Sequence, residues 1–348
     1  MTGLALRCVA TMAFVLLATL SSANAQQKLY DDYLYEETRS VAAVDERPIT
    51  FYLDRPTAGP KVPILLIVDG SGCVGQLRER GRTFWRPGPG LPVRYARLQV
   101  EKPGVDPSAD FSDTLECSDD FNRNYSITNR VFDHLRVLQH LEANAEWWDG
   151  RVYLFGWSDG GDIGAQLLAY RPTITRAVLG AMGGGLTMAE HFEDIWVCPP
   201  ETTADRVGCL ADLRADFKRI ADDPSRVEKW NGESRFTWDS RLRSRLIPLL
   251  ADNRVPLLIV HGENDLENTP VASARALIEG LTAAGNPHFT YWEIEGMAHG
   301  WGSLPPAERA TVRIGSFLWL FDQPIPPAFQ PPLTGRSLPT LPPSGTTR

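Results

Sequence analysis

The residues of this sequence that could do chemistry together begin with a serine in a glycine-rich turn. Residues 156–160 read Gly-Trp-Ser-Asp-Gly, a match to the pattern Gly-x-Ser-x-Gly, and an apolar run at 152–155 precedes them. A helical pattern that includes Ile163 and Leu167 follows directly. A chain that passes from strand to helix within so few residues needs glycines at the turn and strains the central residue. We therefore expect Ser158 to raise its hydroxyl at a sheet edge, in front of the free N–H groups of a helix N-terminus.

Histidine is the side chain that could activate such a serine, and chain position selects one of the six. The motif implies the order serine, acid, histidine, so the base must lie far downstream. His299 lies in a small-residue loop, Gly-Met-Ala-His-Gly, within five residues of the last predicted strand, 289–294. That loop is at the carboxyl edge, where such sheets bind ligands. The others lie on an earlier helix, in an insertion or at unsuitable strand positions: His134, His140, His191, His261 and His288.

The acid that would orient His299 is expected after the predicted strand 257–260. The next seven residues read His-Gly-Glu-Asn-Asp-Leu-Glu and offer three carboxylates. Asp265 comes just before a turn and is best placed to point inward, where it would accept the imidazole Nδ1–H and hold the required tautomer. Glu263 and Glu267 remain alternatives for this acid.

The surroundings of the serine should supply N–H donors for an oxyanion and a wall for the substrate. Two backbone donors are needed, and the N–H of Asp159, directly after the nucleophile, is the first. The second is expected from the loop Asp-Gly-Ser-Gly after an early apolar strand, with Ser71 preferred and Gly72 as the alternative. Trp157 and Trp301 flank the nucleophile and the base, and the sequence favours a substrate pocket and a core position equally for them.

The elements that must position these residues alternate between strands and helices. Continuous apolar runs at 63–68 and 256–260 are typical of parallel strands that are buried on both faces. The helical period occurs at 126–144, 272–284 and 307–321. This alternation predicts an α/β fold with a doubly wound, mostly parallel sheet. The stretch 186–250 is too long for a crossover, so we predict that it is a lid inserted over the carboxyl ends of the strands.

Both ends of the chain are predicted to lie outside this domain, which takes residues 26–322. Residues 1–25 contain Arg7, an apolar run and a final Ala-Asn-Ala, which is the pattern of a secretory signal peptide. We therefore expect a periplasmic or secreted protein. Residues 323–348 are rich in proline and poor in core-forming residues, and are predicted to be disordered. No other stretch reaches 18 consecutive apolar residues, so no membrane span is expected in the mature chain.

Composition and cysteine count limit the remaining possibilities. The 348 residues are 43% hydrophobic and 22% charged, and the net charge of −8 with no basic tract argues against a nucleic-acid partner. In an oxidising compartment, the four cysteines after the signal segment suggest two disulfides with three possible pairings. We favour Cys198–Cys209, which closes a short loop, together with Cys73–Cys117; four free thiols are the alternative. No Cys/His spacing suggests a metal site.

With these pieces in place, the chain from about residue 49 to 321 resembles the α/β-hydrolase superfamily. Residues 156–160 match its nucleophile elbow, 261–265 look like its acid loop and 296–300 look like its histidine loop. The spacing looks closest to dienelactone-hydrolase-like and prolyl-oligopeptidase-like single-domain members. The family's His-Gly-Gly-Gly oxyanion motif appears here as Asp-Gly-Ser-Gly, a departure at its first and third residues. The resemblance implies acyl transfer to water without a cofactor and does not name a substrate. We expect a small-molecule acyl substrate.

These inferences predict an exported serine hydrolase that cleaves carboxylic esters through a Ser-His-Asp acyl-enzyme mechanism. Thioesters and peptides are alternative substrates on the same fold. A non-catalytic binding protein on this fold is the alternative from another class. A lyase or dehalogenase would need an aspartate at the nucleophile position, where this chain has Ser158.

Overall fold

From residue 119 onward, helices alternate with the strands of the main sheet, as predicted. The computed structural model describes residues 30–76, 85–88, 93–106, 117–171 and 173–338, so the predicted signal segment lies outside the described residues. The strands are β1 Tyr33–Ala42, β2 Pro48–Pro56, β3 Val62–Val68, β4 Ala96–Val100, β5 Trp148–Trp157, β6 Arg176–Gly180, β7 Lys229–Trp230, β8 Glu233–Ser234, β9 Leu257–Gly262 and β10 Phe289–Ile294. The helices are α1 Asp119–Asn124, α2 Ile127–Asn144, α3 Asp159–Tyr170, α4 Met188–His191, α5 Arg206–Asp222, α6 Arg235–Leu242, α7 Leu246–Leu250, α8 Val271–Ala283 and α9 Pro306–Leu320.

One sheet of eight strands carries the fold, in the order β1-β2-β4-β3-β5-β6-β9-β10. Strand β2 runs antiparallel to β1 and β4, and all other neighbours are parallel. Every residue of β3, β4, β6, β9 and β10 is buried. Burial on both faces explains the continuous apolar runs of β3 and β9. The predicted doubly wound, mostly parallel sheet is confirmed.

Helices cover both faces of this sheet. On one face the apolar sides of α2, α3, α7 and α8 share a core with the strands, with Val131, Ile163 and Leu277 among the buried residues. On the other face α9 contributes Val312 and Phe317. In the described residues no helix is both long and apolar enough to cross a bilayer.

The insertion between β6 and β9 has a small core of its own. We call residues 186–245 the cap. The buried apolar residues of this core are Phe192, Cys198, Leu213, Ile220, Trp238 and Leu242. The expectation that the insertion extends to residue 250 is wrong. Helix α6 ends at Leu242, and α7 is a separate helix whose Leu246 and Leu250 are buried in the core of the sheet.

Two disulfides connect the pairs favoured from sequence. Cys73, after β3, bonds to Cys117, just before α1. Cys198 bonds to Cys209 and closes a short loop within the cap. The cap therefore has a covalent closure that is independent of the sheet.

Residues 323–338 correct the expectation of a disordered tail. They contact β10: Thr334 N–H donates to the Glu293 carbonyl oxygen at 2.9 Å and Leu338 N–H donates to the Tyr291 carbonyl oxygen at 3.0 Å. The proline-rich composition suggested disorder because proline lacks an N–H donor. The segment still has carbonyl groups and a few N–H groups, and these suffice for hydrogen bonds to β10 at intervals. Residues 339–348 lie outside the described residues.

Candidate active site

Ser158 occupies the sharp turn between β5 and α3, as expected. Its φ of 58° and ψ of −127° lie in a region that non-glycine residues rarely adopt. The flanking glycines allow this because neighbouring backbone approaches closely. A Cβ atom on Gly156 would lie 2.1 Å from the carbonyl oxygen of Gly160, and one on Gly160 would lie 2.0 Å from that of Val68. The strain and the glycines therefore belong to one local structure that presents the serine hydroxyl.

His299 reaches Ser158 from the loop after β10. Its Nε2 lies 3.1 Å from Ser158 Oγ and its Nδ1 lies 2.7 Å from Asp265 Oδ2. The Trp157 indole N–H donates to the carbonyl oxygen of His299 at 3.0 Å, which ties the histidine loop to the serine turn. The structure thus brings together the three residues that the sequence selected from distant loops.

Asp265 is held in place by its own loop. It is 2% exposed, and its Oδ1 accepts the Thr269 N–H at 3.1 Å, which leaves Oδ2 directed at His299. The neighbouring His261 bonds through Nε2 to the Thr269 carbonyl oxygen at 2.8 Å, and burial lowers the pKa of His261. Of the alternative acids, Glu263 accepts the Gly296 N–H and Glu267 is exposed.

The loop after β3 lies against the nucleophile at Gly70. A Cβ atom on Gly70 would lie 3.1 Å from Ser158 Cβ. The carbonyl oxygens of Ser71 and Gly72 accept hydrogen bonds from Lys102 Nζ, at 3.2 and 2.7 Å. On the other side of Ser158, the Asp159 N–H begins helix α3, where no carbonyl one turn earlier can accept it.

Lys102 is a buried cation that the sequence reasoning missed. It is 4% exposed, and burial lowers its pKa to about 8, although the nearby Asp69 opposes this shift. Burial also raises the pKa of the Asp69 carboxyl. The sequence gives no signal for these hydrogen bonds, because Lys102 binds backbone carbonyl oxygens of a loop that follows a different strand.

Asp159 joins the nucleophile turn to the cap. Its Oδ2 accepts the Tyr125 hydroxyl at 3.0 Å and the Arg241 Nε and Nη2 at 3.1 and 2.5 Å. Arg241 is 7% exposed and also bonds Glu233 within the cap. Sequence reasoning assigned Asp159 only a backbone role and missed Tyr125 and Arg241, since 82 residues separate Arg241 from Asp159.

Two spaces open on Ser158. The large pocket has a volume of about 540 Å³, and its wall includes Ser71, Lys102, Trp157, Ser158, His299 and Trp301. The rings of Trp157 and Trp301 lie 4.4 Å apart, so both tryptophans line this pocket and pack on each other. The small cavity, about 30 Å³, lies between Ser158 and the cap. In the described part of the chain, no group of three or more His, Cys, Asp or Glu side chains is arranged to hold a metal ion.

Comparison with known proteins identifies the fold. No protein-family model matches the sequence, and no curated protein matches it. Among solved structures, Est1E from Butyrivibrio proteoclasticus is similar with a TM-score of 0.52 at 15% identity, over 84% of this chain and 99% of that one. The Pyrococcus horikoshii acylaminoacyl peptidase is similar with a TM-score of 0.54 at 13% identity, over 82% of this chain and 41% of that one.

Porphyromonas gingivalis dipeptidyl peptidase 4 is similar with a TM-score of 0.51 at 14% identity, over 84% of this chain and 36% of that one. The chain therefore spans less than half the length of both peptidases. Together with the strand order, these similarities show that the chain has the α/β-hydrolase fold.

Proposed function

We propose that this protein is a serine hydrolase that cleaves carboxylic esters. The observation that carries the proposal is the continuous hydrogen-bonded series Ser158–His299–Asp265, with 3.1 Å and 2.7 Å between the participating atoms. These are the distances that a nucleophile, a base and an orienting acid need. The strained backbone of Ser158 and the adjacent helix N-terminus support the same assignment.

The proposed mechanism has two acyl-transfer steps. His299 Nε2 takes the proton of Ser158 as Oγ attacks the ester carbonyl carbon. The resulting oxyanion accepts hydrogen bonds from the backbone N–H groups of Asp159 and Ser71. His299 then gives its proton to the alcohol oxygen as the carbon–oxygen bond breaks, which leaves an acyl-enzyme. Water attacks that ester in the same way and releases the acid and free Ser158. Asp265 accepts the Nδ1–H throughout and stabilises the imidazolium.

Lys102 supports the oxyanion loop in this mechanism. Its bonds to the carbonyl oxygens of Ser71 and Gly72 fix the peptide planes that carry the N–H groups of Gly72 and Cys73. They thereby hold in place the loop that also carries the Ser71 N–H. Trp157 and Trp301 form the apolar wall of the large pocket, where part of the substrate binds.

We also propose that the chain works in the periplasm or outside the cell. The signal-like residues 1–25 and the two disulfides support this location, because disulfides persist in oxidising compartments. Fractionation of cells that express the full chain should find a mature protein that begins near Gln26 outside the cytoplasm. An uncleaved protein in the cytoplasm would contradict this location and leave the proposed chemistry in place.

A fluorophosphonate probe tests the chemistry. It should label the wild-type protein and not Ser158→Ala, whereas Ser40→Ala, at an exposed serine on β1, should label like the wild type. Hydrolysis of an ester, a thioester and an aminoacyl amide then distinguishes an esterase from a thioesterase or a peptidase. Absence of both labelling and hydrolysis in the folded wild type would favour a binding protein on this fold.

A further inference from the structure

The small cavity lies beside Ser158, where the cap meets the sheet. The described residues on its wall include Ser158, Asp162, Met182, Met188, His191 and Arg241. The cavity has a volume of about 30 Å³ and holds about two water molecules. Such a space accepts only one or two atoms beyond the carbonyl group of a substrate.

The chemistry of ester cleavage decides which half of the substrate enters this cavity. His299 must give its proton to the leaving alcohol, so the alcohol must lie on the side of the imidazole. His299 is on the wall of the large pocket. The alcohol therefore belongs in the large pocket, and the acyl group extends from Ser158 into the small cavity.

The wall of the small cavity carries one buried polar side chain that lacks a hydrogen-bond partner among the described residues. His191 is 3% exposed, and neither of its ring nitrogens has a hydrogen-bond partner among the described residues. Burial lowers the pKa of His191 to about 4, so at neutral pH the ring is uncharged, with one N–H donor and one acceptor. Loss of solvent and the neighbouring Asp159 raise the pKa of Asp162 to about 8, which leaves most of this carboxyl protonated at neutral pH.

The rest of the wall argues against a charged ligand. Arg241, the cation at the cavity, is already paired with Asp159 and Glu233. Met182 and Met188 add apolar surface. A small uncharged group with a hydroxyl fits this combination, because the hydroxyl can both donate to and accept from the buried imidazole.

We propose that the small cavity is the acyl subsite and that it selects esters of short 2-hydroxyacyl groups, with His191 hydrogen-bonded to the acyl hydroxyl. The inference rests on the proposed function. It goes beyond that function because it names the acid component of the ester and the residue that recognises it.

Esters of one alcohol, 1-naphthol, with a series of acids test this subsite. The informative pair is glycolate and propanoate, since both acyl groups have the same number of non-hydrogen atoms and differ in a hydroxyl against a methyl. We expect kcat/KM for the glycolate to exceed that for the propanoate by about tenfold or more, and the hexanoate to fall at least about tenfold below the propanoate. A wild-type ratio near one for glycolate against propanoate, or a preference for hexanoate, overturns the proposal.

Variants then assign the selectivity to the cavity. His191→Phe should reduce the glycolate-to-propanoate ratio to about one, and His191→Gln, which keeps a donor and an acceptor, should retain part of it. His140→Phe is the matched control, at a half-buried histidine of α2 that is not on the wall of the cavity, and should keep the wild-type ratio. Met188→Ala widens the cavity from the cap side and should raise hexanoate hydrolysis relative to propanoate. An unchanged ratio in folded His191→Phe contradicts the role of this residue.

The two proposals fail in different ways. Loss of fluorophosphonate labelling and of all ester hydrolysis in the wild type would remove the proposed function. If the enzyme hydrolyses the acetate, propanoate and glycolate esters at similar rates, only the proposed acyl subsite is contradicted.

Discussion

The sheet and the cap contribute to the site by different means. Ser158, Asp265 and His299 follow β5, β9 and β10, so the backbone of one sheet brings them to the same end. The cap contributes His191 and Arg241, which reach the site as side chains from a small core of six buried residues. The larger unit positions the proposed catalytic residues, whereas the shape of the small cavity depends on how the cap packs against the sheet. Each prediction below tests one side of this division.

The largest effect is expected from the acid of the sheet. Asp265→Asn keeps the size of the side chain but disfavours the tautomer of His299 that accepts a proton from Ser158, so kcat should fall by about 10⁴. The free energy of unfolding should change much less than the activity. Steady-state kinetics and chemical denaturation measure both quantities. Glu267→Gln is the control, and a comparable loss there would identify the wrong acid.

The docking of the cap should depend on the pair Arg241–Asp159. Arg241→Met leaves the buried Asp159 carboxylate without its cation and should lower the free energy of unfolding by about 3–5 kcal/mol. The double variant Arg241→Met with Asp159→Asn removes both charges and should recover most of this loss. Denaturation followed by tryptophan fluorescence provides the measurement. Arg243→Met, at an exposed arginine of the same segment, is the control, and a double variant no better than the single one would argue against the pair.

The two disulfides should stabilise different parts of the molecule. The Cys73–Cys117 bond spans 44 residues and should contribute about 4 kcal/mol, whereas Cys198–Cys209 spans 11 and should contribute about 3 kcal/mol. Replacing both cysteines of the cap pair by serine should speed amide hydrogen exchange in α5 before it affects β3 or β9. Hydrogen-exchange mass spectrometry locates the change. Equal exchange in both regions would mean that the cap and the sheet unfold as one unit.

The smallest effect is expected from pH. Burial lowers the pKa of His134 on α2 to about 3 and that of His191 in the cap to about 4, whereas unfolded histidine titrates near 6.5. Unfolding therefore takes up protons below pH 6.5, and the stability held by the neutral rings is lost as the pH falls toward these folded-state pKa values. At pH 5 the loss is about 2 kcal/mol per histidine. Denaturation of His191→Phe between pH 7 and 5 should show a shallower decline than the wild type, and His140→Phe should follow the wild type.

The fold and the three central residues could be predicted because their positions follow from sheet geometry. Buried runs such as Val62–Val68 identify strands, and parallel strands bring the loops that follow them to one end. A serine, an acid and a histidine in those loops must then lie close together. The spacing of Gly156 and Gly160 around Ser158 also predicted the strained turn, because this turn results from close contacts between nearby backbone atoms.

The contacts of the cap could not be predicted in this way. The Arg241 side chain reaches from the cap to Asp159 at the start of α3. The hydrophobic periodicity of a sequence predicts helices and strands, but it does not predict how the cap packs against the sheet. The same holds for His191, which the sequence analysis set aside because it lies in the insertion. The end of the insertion was misplaced because Leu246 and Leu250 have the same apolar character whichever core they enter.

The segment 323–338 has a consequence for association between molecules. β10 is the terminal strand of the sheet, and an open strand of this kind is a template on which a second chain can add by backbone pairing. Residues 333 and 338 pair with Ile294 and Tyr291 and so occupy part of that template, while prolines in the segment prevent it from becoming a new strand that recruits others. At the opposite end, β1 is protected differently, by a register shift between Leu34 and Glu37 and by charged side chains along its length. The sheet thus resists polymerisation at both ends.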